Sequence, residues 1–120
     1  MSSRSPQRRG ERVAPPAAAD EWELRFGTGE AADGWEQLCA HAPGPTKTCP
    51  EQLRADPRRR DQRQGRLRDK LASRTVGGRT LEQWQYEVTG GGRVWYCPDD
   101  ERHTVWLVAC RVGHPPTTGR

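Results

Sequence analysis

The side chains that could move a proton near neutral pH or hold a phosphate lie mostly in the second half of this chain. An unperturbed histidine titrates near neutrality, so His114 can act as acid or base. Arg111, three residues earlier, can add a phosphate contact. Glu87 falls on the polar side of an alternating segment and could serve as a base. Upstream, eight basic residues between Arg54 and Lys70 stand against three Asp. Such a run is either a solvated face or a phosphate-binding surface. Arg63, Arg66, Arg68 and Lys70, which lead into the later strands, are the candidates for phosphate contact. A proton acceptor, a proton donor and fixed positive charge are together what cleavage of a phosphodiester requires.

The net charge of +4, from 20 basic and 16 acidic residues, permits a polyanionic partner without demanding one. Lysine occurs only at Lys47 and Lys70, and every other cation is arginine. Arginine suits planar, bidentate phosphate recognition, although a GC-rich genome would produce the same bias. At 120 residues the chain fits one small domain. Its 32% hydrophobic content and mean hydropathy of −1.05 are low for a compact fold. Either part of the chain is unpacked or the core is completed against a partner.

No apolar run approaches the roughly 18 residues of a membrane helix, and the N-terminus lacks the apolar centre of a signal peptide. A cytoplasmic protein without a membrane partner is therefore expected, with Cys39, Cys49, Cys97 and Cys110 as free thiols. No two cysteines have C-x-x-C spacing, so a zinc site would have to be assembled by folding, with His41 or His114. Neither a metal nor a cofactor is expected.

The elements that must position these residues follow from periodicity. Residues 1–20 are Ser-, Pro-, Arg- and Ala-rich with no apolar period and read as a disordered arm, whose removal should leave folding intact. Residues 21–118 form the expected domain. Trp22, Leu24 and Phe26 alternate with Glu23 and Arg25, the pattern of a half-buried strand. Ala31, Trp35, Leu38, Cys39 and Ala42 recur at helical spacing despite Gly34. Pro43-Gly44-Pro45 predicts a turn, and a second helix runs from the late forties, with Thr48 and Glu51 at capping-box spacing, to Ala55. Leu81–Val88, Arg93–Cys97 and Thr104–Cys110 read as three strands joined by Gly90-Gly91-Gly92 and by an acidic turn. The whole predicts an α+β fold in the order β-α-α-β-β-β, with two helices packed on a twisted antiparallel sheet.

That order, and the segment Gly78–Thr118 in particular, resembles the RelE/ParE superfamily of bacterial toxins. The resemblance rests on Arg93-Val94-Trp95-Tyr96 opening the middle strand, on the acidic Asp99-Asp100-Glu101 turn, and on a last strand running through Cys110-Arg111-Val112-Gly113 to His114. The ending is similar to the YoeB branch. Pro115 stands where those proteins carry a tyrosine, and the only tyrosines here are Tyr86 and Tyr96. Trp95 and Trp84 could stack a base in its place, or could simply pack in the core.

The resemblance implies the toxin of a type II toxin–antitoxin pair: a metal-independent endoribonuclease that cuts mRNA in the decoding site of the 30S ribosomal subunit and is silenced by a cognate antitoxin. It further implies that Arg93 supplies charge to the phosphorane, with His114 as acid or base, Glu87 as a possible base and Arg111 on a phosphate. Two other readings remain open at this level: a ParE-like toxin that poisons DNA gyrase by binding, and a catalytically inert nucleic-acid-binding protein of the same fold.

Overall fold

The computed structural model describes residues 8–113. Strand β1 (Glu23–Phe26) is followed by helices α1 (Gly29–His41) and α2 (Pro43–Ala55), then by β2 (Gln64–Arg66), β3 (Ser73–Val76), β4 (Arg79–Glu82), β5 (Trp84–Glu87), β6 (Arg93–Asp99) and β7 (Thr104–Arg111). Five strands form one sheet in the order β1-β7-β6-β5-β2, and β3 and β4 pair separately. The architecture is α+β, as expected, but the sheet is mixed rather than antiparallel: β1 runs parallel to β7. Only strands joined by a hairpin are forced to be antiparallel. Almost the whole chain separates β1 from β7, so no turn dictates their relative direction.

Both helices follow the sequence pattern, with one shift. Thr28 caps α1, its hydroxyl accepting from the Ala31 N–H at 2.9 Å. Pro43-Gly44-Pro45 is not a turn between helices but the first turn of α2. Proline is tolerated there because the first N–H groups of a helix have no internal partner to lose. Leu38, Trp35, Leu53, Leu24, Phe26, Trp84, Tyr96 and Leu107 fill the core between helices and sheet. Gly34 marks where α1 meets the sheet: a Cβ there would lie 1.9 Å from the Cys110 carbonyl oxygen. The helix pays in propensity for a backbone-to-backbone approach that no other residue allows.

The segment Leu81–Val88 is not one strand. It breaks at buried Gln83, whose amide N–H donates to the Ala72 carbonyl at 2.9 Å and whose side chain donates to Leu71 O at 2.8 Å. Residues 79–82 turn back on 73–76 through Gly77 and Gly78, with φ of +59° and +82°. Two consecutive positive φ values are what a type I′ hairpin requires and what glycine supplies.

Residues 8–20 also depart from the expectation of a disordered arm. Gly10 and Val13 donate to Phe26 O (2.6 Å) and Leu24 O (2.8 Å), while Phe26 donates back to Glu11 O (2.9 Å). The arm thus pairs with the edge of β1, whose backbone groups would otherwise be bare. Val13 is 1% exposed. Buried Arg54 on α2 donates from Nη2 to Pro15 O at 2.8 Å, tying the arm to the helices.

Two outcomes follow from this packing. Truncation through Asp20 is expected to cost at least the roughly 1.5–3 kcal/mol that burying a valine contributes, read as a lower urea midpoint; an unchanged midpoint would contradict the arm's role. Gly34→Ala gains about 1 kcal/mol in helix propensity, but overpacking costs about 1–3 kcal/mol, and more where the obstruction is backbone. A net fall in Tm is expected, and a rise would show that α1 can move off β7.

Candidate functional site

One face of the large sheet lies under the helices and the other faces outward. Trp84 and Tyr86 of β5, and Val94 and Tyr96 of β6, belong to the core. Alternation therefore turns Gln85, Glu87, Arg93 and Trp95 to the outer face. On β7 the same rule is broken once. Trp95 pairs with Ala109, but Tyr96 pairs with Leu107, so Val108 is an extra residue opposite none. Leu107 and Cys110 both point into the core, three positions apart, because this bulge reverses the alternation. Without it, Arg111 would point at the helices. With it, Arg111 joins the outer face.

The register then lines up the candidate residues. Glu87 lies opposite Arg93, and Arg93 opposite Arg111. Neighbouring strands are about 4.8 Å apart, so two arginines stand side by side. Like charges in directly opposed positions are unfavourable, and Arg93 makes no ion pair among the described residues. Arg111 has one, with Glu30 at 3.3 Å, and both partners are exposed. Arg63 extends the row beyond Glu87: its carbonyl accepts from the Glu87 N–H at 2.7 Å, and its guanidinium donates to the Glu87 carbonyl at 3.1 Å.

The next row is Gln85, Trp95 and Ala109. The Trp95 indole N–H donates to Gln85 Oε1 at 2.9 Å, which fixes the ring, and the Arg111 guanidinium lies 5.6 Å from the ring centroid. Arg93, Trp95, Ala109 and Arg111, with Gln37 of α1, line a groove of about 620 Å³. Its remaining wall is the Gly90-Gly91 turn and Cys110–Gly113. Gly113 (φ +98°) passes so close to Gly91 that a Cβ would meet the Gly91 carbonyl at 2.7 Å. His114, the next residue, lies outside the described residues.

Of the residues singled out from sequence, Arg93 and Arg111 meet in the groove, Glu87 stands beside Arg93 in the same row, and Arg63 ends that row. Arg66, Arg68 and Lys70 do not join them. Arg66 pairs with Trp84, about 10 Å along the strand from Glu87, and donates to Ala72 O at 3.2 Å. Arg68 and Lys70 are exposed at the short helical turn Asp69–Leu71. The basic run thus splits at β2. Trp84 is buried, whereas Trp95 is half-exposed on the groove wall. Sequence alone left these two tryptophans equivalent, and nothing in it announces the bulge that sets Arg111.

No thiol in or near the groove is a ready nucleophile. Burial pushes Cys110 and Cys49 far above the ordinary thiol range and Cys97 up to about 12. Burial and then Glu36 raise Cys39 as well. Among the described residues, no three of His, Cys, Asp and Glu come together as metal ligands would.

The β3–β4 hairpin closes the other half of the outer face, where Cys97 is fully buried. The acidic turn holds it down. Arg79 pairs with both Asp99 and Glu101. Arg58 bridges Glu82 at 3.0 Å and both oxygens of Asp100 at 3.0 Å. Asp99 also accepts from the Trp106 indole at 3.1 Å, and Glu82 from the Trp84 indole at 2.7 Å. Burial alone would raise the Asp99 and Glu82 carboxyls, but these donors outweigh it and hold both below the ordinary carboxylate range. The acidic turn is therefore a clasp, and the groove is what it leaves uncovered.

Because folding lowers these two pKa values, the unfolded chain takes up protons first as the pH falls. The clasp should contribute fully above about pH 5 and weaken through pH 4 and below, since free carboxylates titrate near 4. Urea midpoints between pH 7 and 3 are expected to fall less steeply for Asp99→Asn than for the wild type; parallel curves would contradict the clasp.

A comparison with protein-family models, curated proteins and solved structures finds no match for the chain.

Proposed function

We propose that this protein cleaves RNA without a metal, as the toxin of a type II toxin–antitoxin pair of the RelE/ParE kind, acting on mRNA at the decoding site of the 30S ribosomal subunit and held silent by a cognate antitoxin. The observation that carries the reading is the in-register pair Arg93 and Arg111, side by side in an open groove with Glu87 in the same row. Two adjacent guanidinium groups, with one half-buried carboxylate on the far side of Arg93, leave positive charge uncompensated. Such charge suits a dianionic phosphorane. A second support is the order of elements. Apart from the short edge strand β2 and the β3–β4 hairpin, the chain runs β-α-α-β-β-β.

In this reading Glu87 takes the proton from a 2′-hydroxyl. The freed oxygen attacks the adjacent phosphorus, forming the O2′–P bond while the P–O5′ bond breaks. Arg93 and Arg111 hold the charge that develops on the phosphorane. His114, which follows the groove-lining Gly113, returns a proton to the departing 5′ oxygen. The products are a 2′,3′-cyclic phosphate and a 5′-hydroxyl.

The test is inducible expression in a bacterial host, with growth and mRNA 5′ ends followed together. Growth arrest with new 5′ ends inside translated codons is expected. Arg93→Ala should lower cleavage about 10²- to 10³-fold, the usual effect of removing one charge-stabilising donor. Arrest without new ends would point to gyrase or another target and would overturn the nuclease reading.

A further inference from the structure

The half of the groove next to the arginine row has no part in the reaction just described. Trp95 lines it, and the hydrogen bond from its indole N–H to Gln85 holds the ring, so its plane is preset rather than free to rotate. The Arg111 guanidinium lies over the ring, 5.6 Å from its centroid. The Arg111 side chain is 62% exposed and otherwise tied to Glu30, whose side chain is 58% exposed. Pairs of this kind contribute little and are readily exchanged. Three glycines in the lining leave the space beside the ring unfilled by side chains. A volume of about 620 Å³ is ample for one nucleotide unit.

We propose that Trp95 is a stacking platform for one unpaired base of a single-stranded RNA, and that the entering base takes the ring face from Arg111, whose guanidinium passes to the neighbouring phosphate beside Arg93. This rests on the RNA reading above and specifies the substrate: a strand whose bases are splayed out, not a duplex. In a duplex the base faces are occupied by stacking, and an A-form helix offers a protein its grooves and backbone rather than a free base plane. A stacked base is sequence-tolerant because every base has a π face, so this position sets strandedness rather than base identity. Trp95 acts here by positioning the strand; it transfers no proton.

Stacking and phosphate contact differ in their salt dependence. Each phosphate neutralised on a single strand contributes about −0.7 to the slope of log K against log salt, whereas a stacked base contributes none. The probe is a six-nucleotide 2′-O-methyl RNA, which lacks the 2′ proton and cannot be cut, titrated onto the full chain from low to moderate salt. Trp95→Ala is expected to weaken binding about 5- to 150-fold with the salt slope unchanged. Trp95→Phe, which keeps an aromatic face, should recover most of the affinity and so separates stacking from misfolding. Arg93→Ala and Arg111→Ala should each make the slope shallower by about 0.7. An abasic site walked along the probe should, at one position, cost the wild type as much as Trp95→Ala does and cost that variant nothing more.

Equal binding by wild type and Trp95→Ala, with the arginine effects intact, overturns the stacking platform and leaves the RNA reading standing. Tighter binding of the matching duplex than of the single strand also overturns it. Failure of the wild type to bind the probe at all overturns both.

Discussion

One extra residue in β7 decides what the outer face of this sheet carries. β7 is hydrogen-bonded on both sides, to β1 and β6, and contributes Val105, Leu107 and Cys110 to the core. A regular strand cannot send Leu107 and Cys110 to the same side. The bulge at Val108 absorbs the mismatch, and Arg111 emerges beside Arg93 instead of beneath α1. The same stretch receives Gly34 of α1 against the Cys110 carbonyl and the Thr28 hydroxyl on Val108 O at 2.9 Å. Helix position, bulge and arginine pair are one constraint seen from three sides. A charged pair that stability alone would not select is held in place where α1 and β7 approach too closely to admit a Cβ at Gly34.

The polar surroundings divide the face between structure and availability. The acidic turn and the β3–β4 hairpin satisfy one another through Arg58 and Arg79, and the N-terminal arm does the same for the β1 edge with help from Arg54. These contacts use up cations that composition alone would assign to a nucleic acid. Arg93 and Arg111 stand outside these contacts, Arg93 with no ion pair among the described residues and Arg111 with a single exposed one. In the proposed reading it is the register of β6 and β7, which sets two guanidinium groups side by side at a groove, rather than the net charge of +4, that selects where a phosphate is held.

Much of this was legible from residue spacing. The alternation in Glu21–Phe26 and the helical stripe Ala31–Ala42 led to β1 and α1, and the alternation in Leu81–Val88 put Gln85 and Glu87 on the polar side of β5. The Gly77-Gly78 pair between Ser73–Val76 and Arg79–Glu82 is a strong hairpin signal that the longer run to Val88 obscured. Val13 was hidden because a single valine among Pro, Ala and Arg has no period; its burial depends on an edge strand elsewhere in the chain. The bulge was not readable at all. Thr104–Cys110 is apolar on both sides, so a one-residue slip leaves no trace in the pattern.

The central claim is that the strand lies in the groove between Arg93, Trp95 and Arg111. It is tested most directly by following backbone amide shifts in an NMR titration with an uncleavable single-stranded RNA. The account predicts changes concentrated at residues 90–95 and 109–113, with Arg66, Arg68 and Lys70 little affected. Changes centred on residues 58–70 or on the helices, with the groove amides unmoved, would contradict it.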